Sequence, residues 1–215
     1  LIDGLGTAGL TGYTLTLSGS VIWINGSSPI TIKATDAKAN STITALLNEV
    51  QAFTELPTIA PQGYQIEILG DAGNNFDNYY VEFEPRSGTF GEGSWVETVS
   101  PGVEYKLDPT TMPHVLIRKT DGNFWFGPVN GQAVSGIPGD VPSWGERVSG
   151  DYETSPDPSF VGYAINDIFI YKNRLGFLAD ENVVLSRVRQ FFDFFPETVT
   201  TVLDTDPVDV VASNN

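Results

Sequence analysis

Ile168-Phe169-Ile170-Tyr171-Lys172-Asn173-Arg174-Leu175-Gly176-Phe177-Leu178-Ala179-Asp180-Glu181-Asn182-Val183-Val184-Leu185-Ser186 is the stretch that decides how the rest of the chain is read. Its apolar runs, Ile168 to Tyr171, Leu175 to Leu178 and Val183 to Ser186, are too short for helices and rich in β-branched and aromatic residues. They read as strands, with Asn173-Arg174 and Asp180-Glu181 placed at the turns. Val208 to Ala212 adds a further strand downstream. The expected fold class is therefore mainly β (α+β), built from antiparallel sheets.

Upstream the same chemistry recurs. Tyr13 to Leu17 alternates with period two, Ser18-Gly19-Ser20 breaks the pattern, and Val21 to Ile24 resumes it, which reads as a hairpin. Further strands are expected at Ile30 to Ala34, Tyr64 to Leu69, Tyr79 to Glu84, Trp95 to Val99, Val115 to Arg118 and Phe124 to Phe126, separated by Gly-, Asp- and Pro-rich turns. One segment follows another period: Ile43, Leu46, Leu47, Val50 and Phe53 fall at helical offsets, with Asn40 or Ser41 as cap and Pro57 beyond the end. This predicts one substantial amphipathic helix near residues 41–55. Pro128 to Asp157 shows little periodicity and reads as a connector. The expected organisation is a hairpin-plus-helix region at 1–62, an antiparallel β region at 63–130, an irregular connector at 131–160, and a β segment at 161–215 that begins a larger body.

Composition narrows the function classes. The 215 residues include 22 glycines and 14 prolines, a share that favours strands and turns over long helices. Acidic residues outnumber basic ones 27 to 11, and the formal charge of -16 repels nucleic acid and anionic membranes. Thirteen of the acidic residues lie beyond position 130, so the acidity grows towards the C-terminal half. With no cysteine, neither disulfides nor thiolate metal sites hold the fold. No apolar run approaches the roughly 18 residues of a membrane helix, so membrane insertion is not expected. The start, Leu1-Ile2-Asp3-Gly4, lacks a signal peptide's basic region, and the single methionine is Met112, so the chain is expected to be a segment of something longer.

Short motifs give little chemistry. Gly4-Leu5-Gly6-Thr7-Ala8-Gly9 has dinucleotide-fingerprint spacing, but a strand pattern follows where a helix is needed, so a glycine turn is the reading. Asp71, Asn75, Asp77 and Glu82 match positions of a calcium loop, yet Phe76 stands where glycine is required, and a hairpin loop fits better. Asp204, Asp206 and Asp209 read as caps or arginine partners. His114, the only histidine, has no Gly-x-Ser-x-Gly serine elbow to serve. The run Phe191-Phe192-Asp193-Phe194-Phe195-Pro196 places rings on two sides of one segment, which a two-sided core or a subunit interface would use.

Several runs in succession are more specific: Thr111-Met112-Pro113-His114-Val115-Leu116-Ile117-Arg118, Asp121-Gly122, Trp144 to Arg147, Gly150-Asp151, Pro156 to Gly162, Ile165-Asn166-Asp167, Asn173 to Leu178, Glu181-Asn182, Phe191 to Pro196, and Asp204 to Val210. Together with Asp77 to Phe83 and Trp95-x-Glu97, this order resembles the tail tubular protein B, or tail nozzle, family of short-tailed, podovirus-type bacteriophages, over roughly residues 40 to 215. The resemblance implies a structural virion protein of the tail, whose full-length form makes a hexameric ring enclosing the channel for genome ejection. It implies an adaptor ring protein and tail fibres as partners, transient passage of DNA without specific binding, no cofactor and no catalytic residue. Structural or interface candidates are Trp144, Arg147, Asp167, Asn173, Arg174, Phe191, Phe194, Phe195, Asp204, Asp206 and Asp209. Arg174 is expected to aim its guanidinium at the carboxylates of Asp167, Asp204 or Asp206. The rival is a carbohydrate-binding or polysaccharide-degrading module on the host surface, with Trp95, Trp125 and Trp144 stacking on sugars beside paired carboxylates. A third reading is a calcium-dependent adhesion module.

Overall fold

The computed structural model describes residues 12–38, 42–70 and 78–212, and the chain divides into two compact units between Thr98 and Val99. In the N-terminal unit, β1 (Tyr13–Ser18) and β2 (Val21–Gly26) form the expected hairpin. Gly19, at a φ of 56°, turns the corner between them, where a side chain would be strained. A five-stranded sheet in the order β3-β5-β6-β7-β4 follows, from β3 (Glu49–Val50), β4 (Ile59–Pro61), β5 (Gln65–Ile68), β6 (Tyr79–Pro85) and β7 (Phe90–Thr98). Its pairs are antiparallel except β3 with β5. Alternation puts Ile66, Ile68, Val81 and Phe83 on the buried face and Gln65, Glu67, Glu82 and Glu84 on the other. Trp23, Tyr64, Trp95 and Phe83 form a chain of ring contacts at 4.7, 5.8 and 5.1 Å. Burial pushes the Tyr64 phenol up to about 12.

The helix expected near residues 41–55 does not form. Only Phe53–Glu55 coil, as a single 3₁₀ turn, and Asn40 and Ser41 lie outside the described residues. The backbone groups a helix would use are taken elsewhere: Glu67 N–H donates to Asn48 O at 2.8 Å, Leu69 N–H to Val50 O at 2.9 Å, and the Tyr64 hydroxyl to Leu47 O. Asp36 Oδ2 accepts from the Thr42 hydroxyl, from Thr42 N–H at 2.6 Å and from Ile43 N–H at 3.2 Å, which ties the start of the segment to Asp36. Val50 enters the core while Ile43, Leu47 and Phe53 stay exposed, so the helical stripe never meets one surface. A short helix is marginal without such packing, and strand pairing prevails. The strand expected at Ile30 to Ala34 also joins no sheet.

In the C-terminal unit, β8 (His114–Arg118) pairs with β9 (Phe124–Pro128), and a four-stranded antiparallel meander runs β10 (Ile165–Tyr171), β11 (Arg174–Ala179), β12 (Asn182–Leu185) and β13 (Val208–Val211). The strands and turns expected for this stretch are present, and a bulge between Ile165 and Asp167 shifts the β10 register. Residues 129–164 are irregular, tied by isolated bridges such as Asn130 with Ser143 and Ala133 with Asp140. Among the described residues no helix is long and apolar enough to cross a membrane. Gly4 to Gly9 and Asp71 to Asp77, with their candidate motifs, lie outside the described residues.

Candidate functional site

The C-terminal unit is organised around a cluster of rings. Trp144, Phe160, Phe177, Phe194 and Phe195 are buried together with Met112, Val129 and Val184. Phe160 meets Phe177 and Phe194 edge-on at 4.9 and 5.0 Å, Phe177 stacks on Phe194 at 5.4 Å, and Trp144 meets Phe192 edge-on at 5.6 Å. Such arrangements exploit the ring quadrupole in addition to burial. The Phe191 to Pro196 segment thus divides: Phe194 and Phe195 are core, whereas Phe191 stays exposed.

Three buried arginines fasten loops to this core. Arg147 is 2% exposed, with its guanidinium 4.7 Å from the Phe195 ring and 5.1 Å from the Tyr152 ring. It donates to Ser155 O at 2.7 Å, to Glu104 O, and to Asp157 Oδ1 at 2.7 Å. One planar fork therefore joins three irregular segments that no ladder holds. Arg174 donates through Nη1 to Ser186 O at 2.7 Å and to Asp206 O, and through Nη2 to Asp204 O at 2.8 Å. The expected partners Asp204 and Asp206 are correct as residues but not as groups: their main-chain carbonyls, not their carboxylates, receive the guanidinium. Those carbonyls sit in a loop without strand partners, and a buried donor satisfies them there. Asp167 does not join; it is exposed on β10 and its Oδ1 accepts from Ile168 N–H at 2.8 Å.

The third arginine, Arg187, carries no signal in a reading by motif. It pairs with Asp193 at 3.1 Å and with Glu197. Asp193 Oδ1 also accepts from Phe195 N–H at 3.2 Å. Even so, burial holds the Asp193 carboxyl above the usual carboxylate range, since desolvation outweighs both favourable contacts and the nearby Glu197 charge adds to it. The Asp206 carboxylate caps Leu203 N–H at 2.7 Å and Glu197 N–H at 3.4 Å, and Asp209 accepts from Ser159 N–H at 2.7 Å. Asn173 occupies the β10–β11 turn, where its carbonyl accepts from Arg189 N–H at 2.8 Å. Arg187 and Glu197 lie on either side of the aromatic run and Asp193 within it, but nothing in their spacing announces the pairing, and only the fold brings the three together.

An open cleft of about 540 Å³ borders Trp144 and contains the exposed Lys106–Glu146 pair at 2.9 Å. Trp144 is only 6% exposed, its ring enclosed by phenylalanines, so it offers no free face for sugar stacking. Trp125 lies across the backbone of Gly127 on its own strand, and Trp95, in the other unit, donates from Nε1 to Pro57 O at 2.8 Å. The carbohydrate reading finds no support in this geometry.

Comparison with known proteins supplies what the geometry leaves open. The family described as bacteriophage nozzle protein matches residues 1–215, including the N-terminal 39 residues where resemblance by motif was weakest. The chain is 38% identical over 180 residues to the protein named tail tubular protein gp12 of Escherichia phage T7, a match covering 84% of this chain and 20% of the relative. The chain thus spans about a fifth of the length of the curated relative it matches.

Proposed function

The chain belongs to the bacteriophage nozzle protein family, and from that premise we propose that it is a structural part of the wall of a phage tail nozzle, located in the virion tail. In this reading it works without catalysis. Copies assemble as a ring, hexameric in the complete protein, around the channel for genome ejection, and the ring anchors an adaptor protein and tail fibres. The observation that carries it is the use made of buried polar groups. Arg147, Arg174, Arg187 and Asp206 all bond the protein's own backbone or side chains, holding irregular loops in one geometry. A wall that transmits load and keeps a bore open needs that rigidity.

The charge supports the same reading. A channel that passes DNA must not retain it, and a formal charge of -16 disfavours phosphate contact while leaving DNA's condensed counterions in place. In this account a good part of the carboxylates face the bore; neutral or basic lumen residues in an assembled ring would overturn that point. The test of the whole reading is light scattering with negative-stain imaging of the natural gene product carrying this sequence. A ring with a central hole is the expected result, and a compact monomer even with the adaptor protein present would reject it.

A further inference from the structure

Among the described residues, positive φ angles fall on twelve glycines and on only four other residues: Lys172 (46°), Asn173 (59°), Asp180 (51°) and Arg189 (64°). All four lie at the two ends of the β10–β13 meander. Lys172 and Asn173 are the turn between β10 and β11, closed by the pair Tyr171 with Arg174, and Arg189 N–H donates to Asn173 O at 2.8 Å, which brings it to the same end. Asp180 and Glu181 are the turn between β11 and β12, closed by Ala179 with Asn182, at the opposite end. At seven residues, β10 sets these ends roughly 20 Å apart.

The left-handed conformation is strained for a residue with a Cβ. Asn and Asp tolerate it, whereas Lys and Arg do so poorly, and glycine removes the strain altogether. Elsewhere the chain places glycine there; at these turns it keeps charged side chains. Lys172, Arg189, Asp180 and Glu181 are exposed, and among the described residues none of them enters an ion pair, although carboxylates outnumber cations 27 to 11. Lys172 lies only over its neighbour Tyr171, at 5.3 Å. Asp167, opposite Leu178, adds to the acidic end, while Asp204 on the loop held by Arg174 adjoins the basic end. One sheet therefore carries two unpaired cations at one end, with Asp204 beside them, and unpaired carboxylates at the other.

We propose that this sheet joins copies of the chain head to tail, the Lys172 and Arg189 end of one copy docking on the Asp180 and Glu181 end of the next. The inference rests on the ring reading above and names the surface through which the ring closes. The two ends differ, so the contact is heterologous, the kind that propagates around a ring. A second copy fits better than DNA: two cations on a strongly anionic chain hold no polyanion, whereas the complementary carboxylates stand on the same element. The contact is electrostatic, which makes it sensitive to salt.

Sedimentation velocity on the full chain tests this, at ionic strengths of about 0.02 and 0.5 M. The wild type is expected to self-associate at low salt, with affinity at least ~10-fold weaker at high salt and ~10-fold weaker in either Lys172→Glu/Arg189→Glu or Asp180→Lys/Glu181→Lys. Mixing the two reversed variants should restore association, because each then supplies what the other lacks. Lys172→Gly/Arg189→Gly separates docking from folding: relaxing the turn should hold or raise the melting temperature while association falls. A wild type that stays monomeric at low salt, or folded reversed variants that associate as the wild type does, would overturn the proposal. Rings of the natural gene product that survive Lys172→Glu/Arg189→Glu would defeat this inference and leave the nozzle-wall reading standing; wild-type gene product without rings would defeat that reading instead.

Discussion

Arg147 shows why a single side chain can matter more than a strand in the irregular part of the C-terminal unit. Its fork satisfies two loop carbonyls and the Asp157 carboxylate, and its face lies between Tyr152 and Phe195. Arg147→Ala leaves the carbonyl of the buried Ser155 without its donor and opens a gap beside Phe195, and is expected to cost about 3 kcal/mol. Arg147→Lys should recover little, because one ammonium cannot reach three acceptors in a plane. Thermal melting followed by circular dichroism checks both, with an unchanged midpoint counting against the clasp. Asp193 makes a second expectation with a definite sign. Its folded-state carboxyl titrates above the ordinary value of 3.8, so its favourable contribution is present below that value and lost as pH rises through the raised one. Asp193→Asn imitates the protonated form. Melts from about pH 3 to pH 7 should show the wild type losing stability relative to this variant as pH increases, and the reverse slope would show that the Arg187 pair dominates. Asp151 runs the other way: bonds from Thr154 and Glu153 lower its value despite desolvation, so its contribution is lost as pH falls through that lowered value.

Elements were legible where local pattern and tertiary partner agreed. The β10 to β12 stretch shows short apolar runs, turn residues where the chain reverses, and neighbours in sequence that are neighbours in the sheet. The Ile43 to Phe53 segment misled because its helical spacing was real, while the partners that overrode it, Tyr64 and β5, lie well downstream and are invisible to a local window. The arginine clusters were half legible for a related reason. Arg147 and Arg174 could be singled out as residues, but a guanidinium that binds carbonyls leaves no complementary side chain in the sequence to announce it. At this scale Gly93 is the informative position. A Cβ there would collide with the main chain of Glu84 and Pro85 on the paired strand, which cannot swing aside as a side chain could. Gly93→Ala is expected to destabilise by about 2 kcal/mol, whereas Gly88→Ala, with open space but a φ of 70°, should show backbone strain alone. Chemical denaturation of the two variants side by side distinguishes a clash from strain.

For the molecule as a whole, the decisive quantity is charge. With 27 acidic and 11 basic residues, carboxylates dominate the charge of the chain and duplex DNA finds little to hold. Fluorescence anisotropy with labelled duplex DNA at about 0.15 M salt is expected to show no saturable binding, and binding that weakens steeply with salt would contradict the non-retentive wall. Raising salt should also lift the melting temperature of the monomeric chain, since screening relieves self-repulsion.

The enclosure of Trp144 has an optical consequence. Its indole sits among Phe160, Phe192 and Phe194, and among the described residues Nε1 has no hydrogen-bond partner. A fluorophore with neither water nor a polar acceptor around it has little dipolar relaxation to lower its excited state, so Trp144 should emit at the blue edge of the protein's spectrum. With Trp23, Trp95 and Trp125 replaced by phenylalanine, that one ring would report, as a red shift, the moment at which the aromatic centre of the C-terminal unit opens.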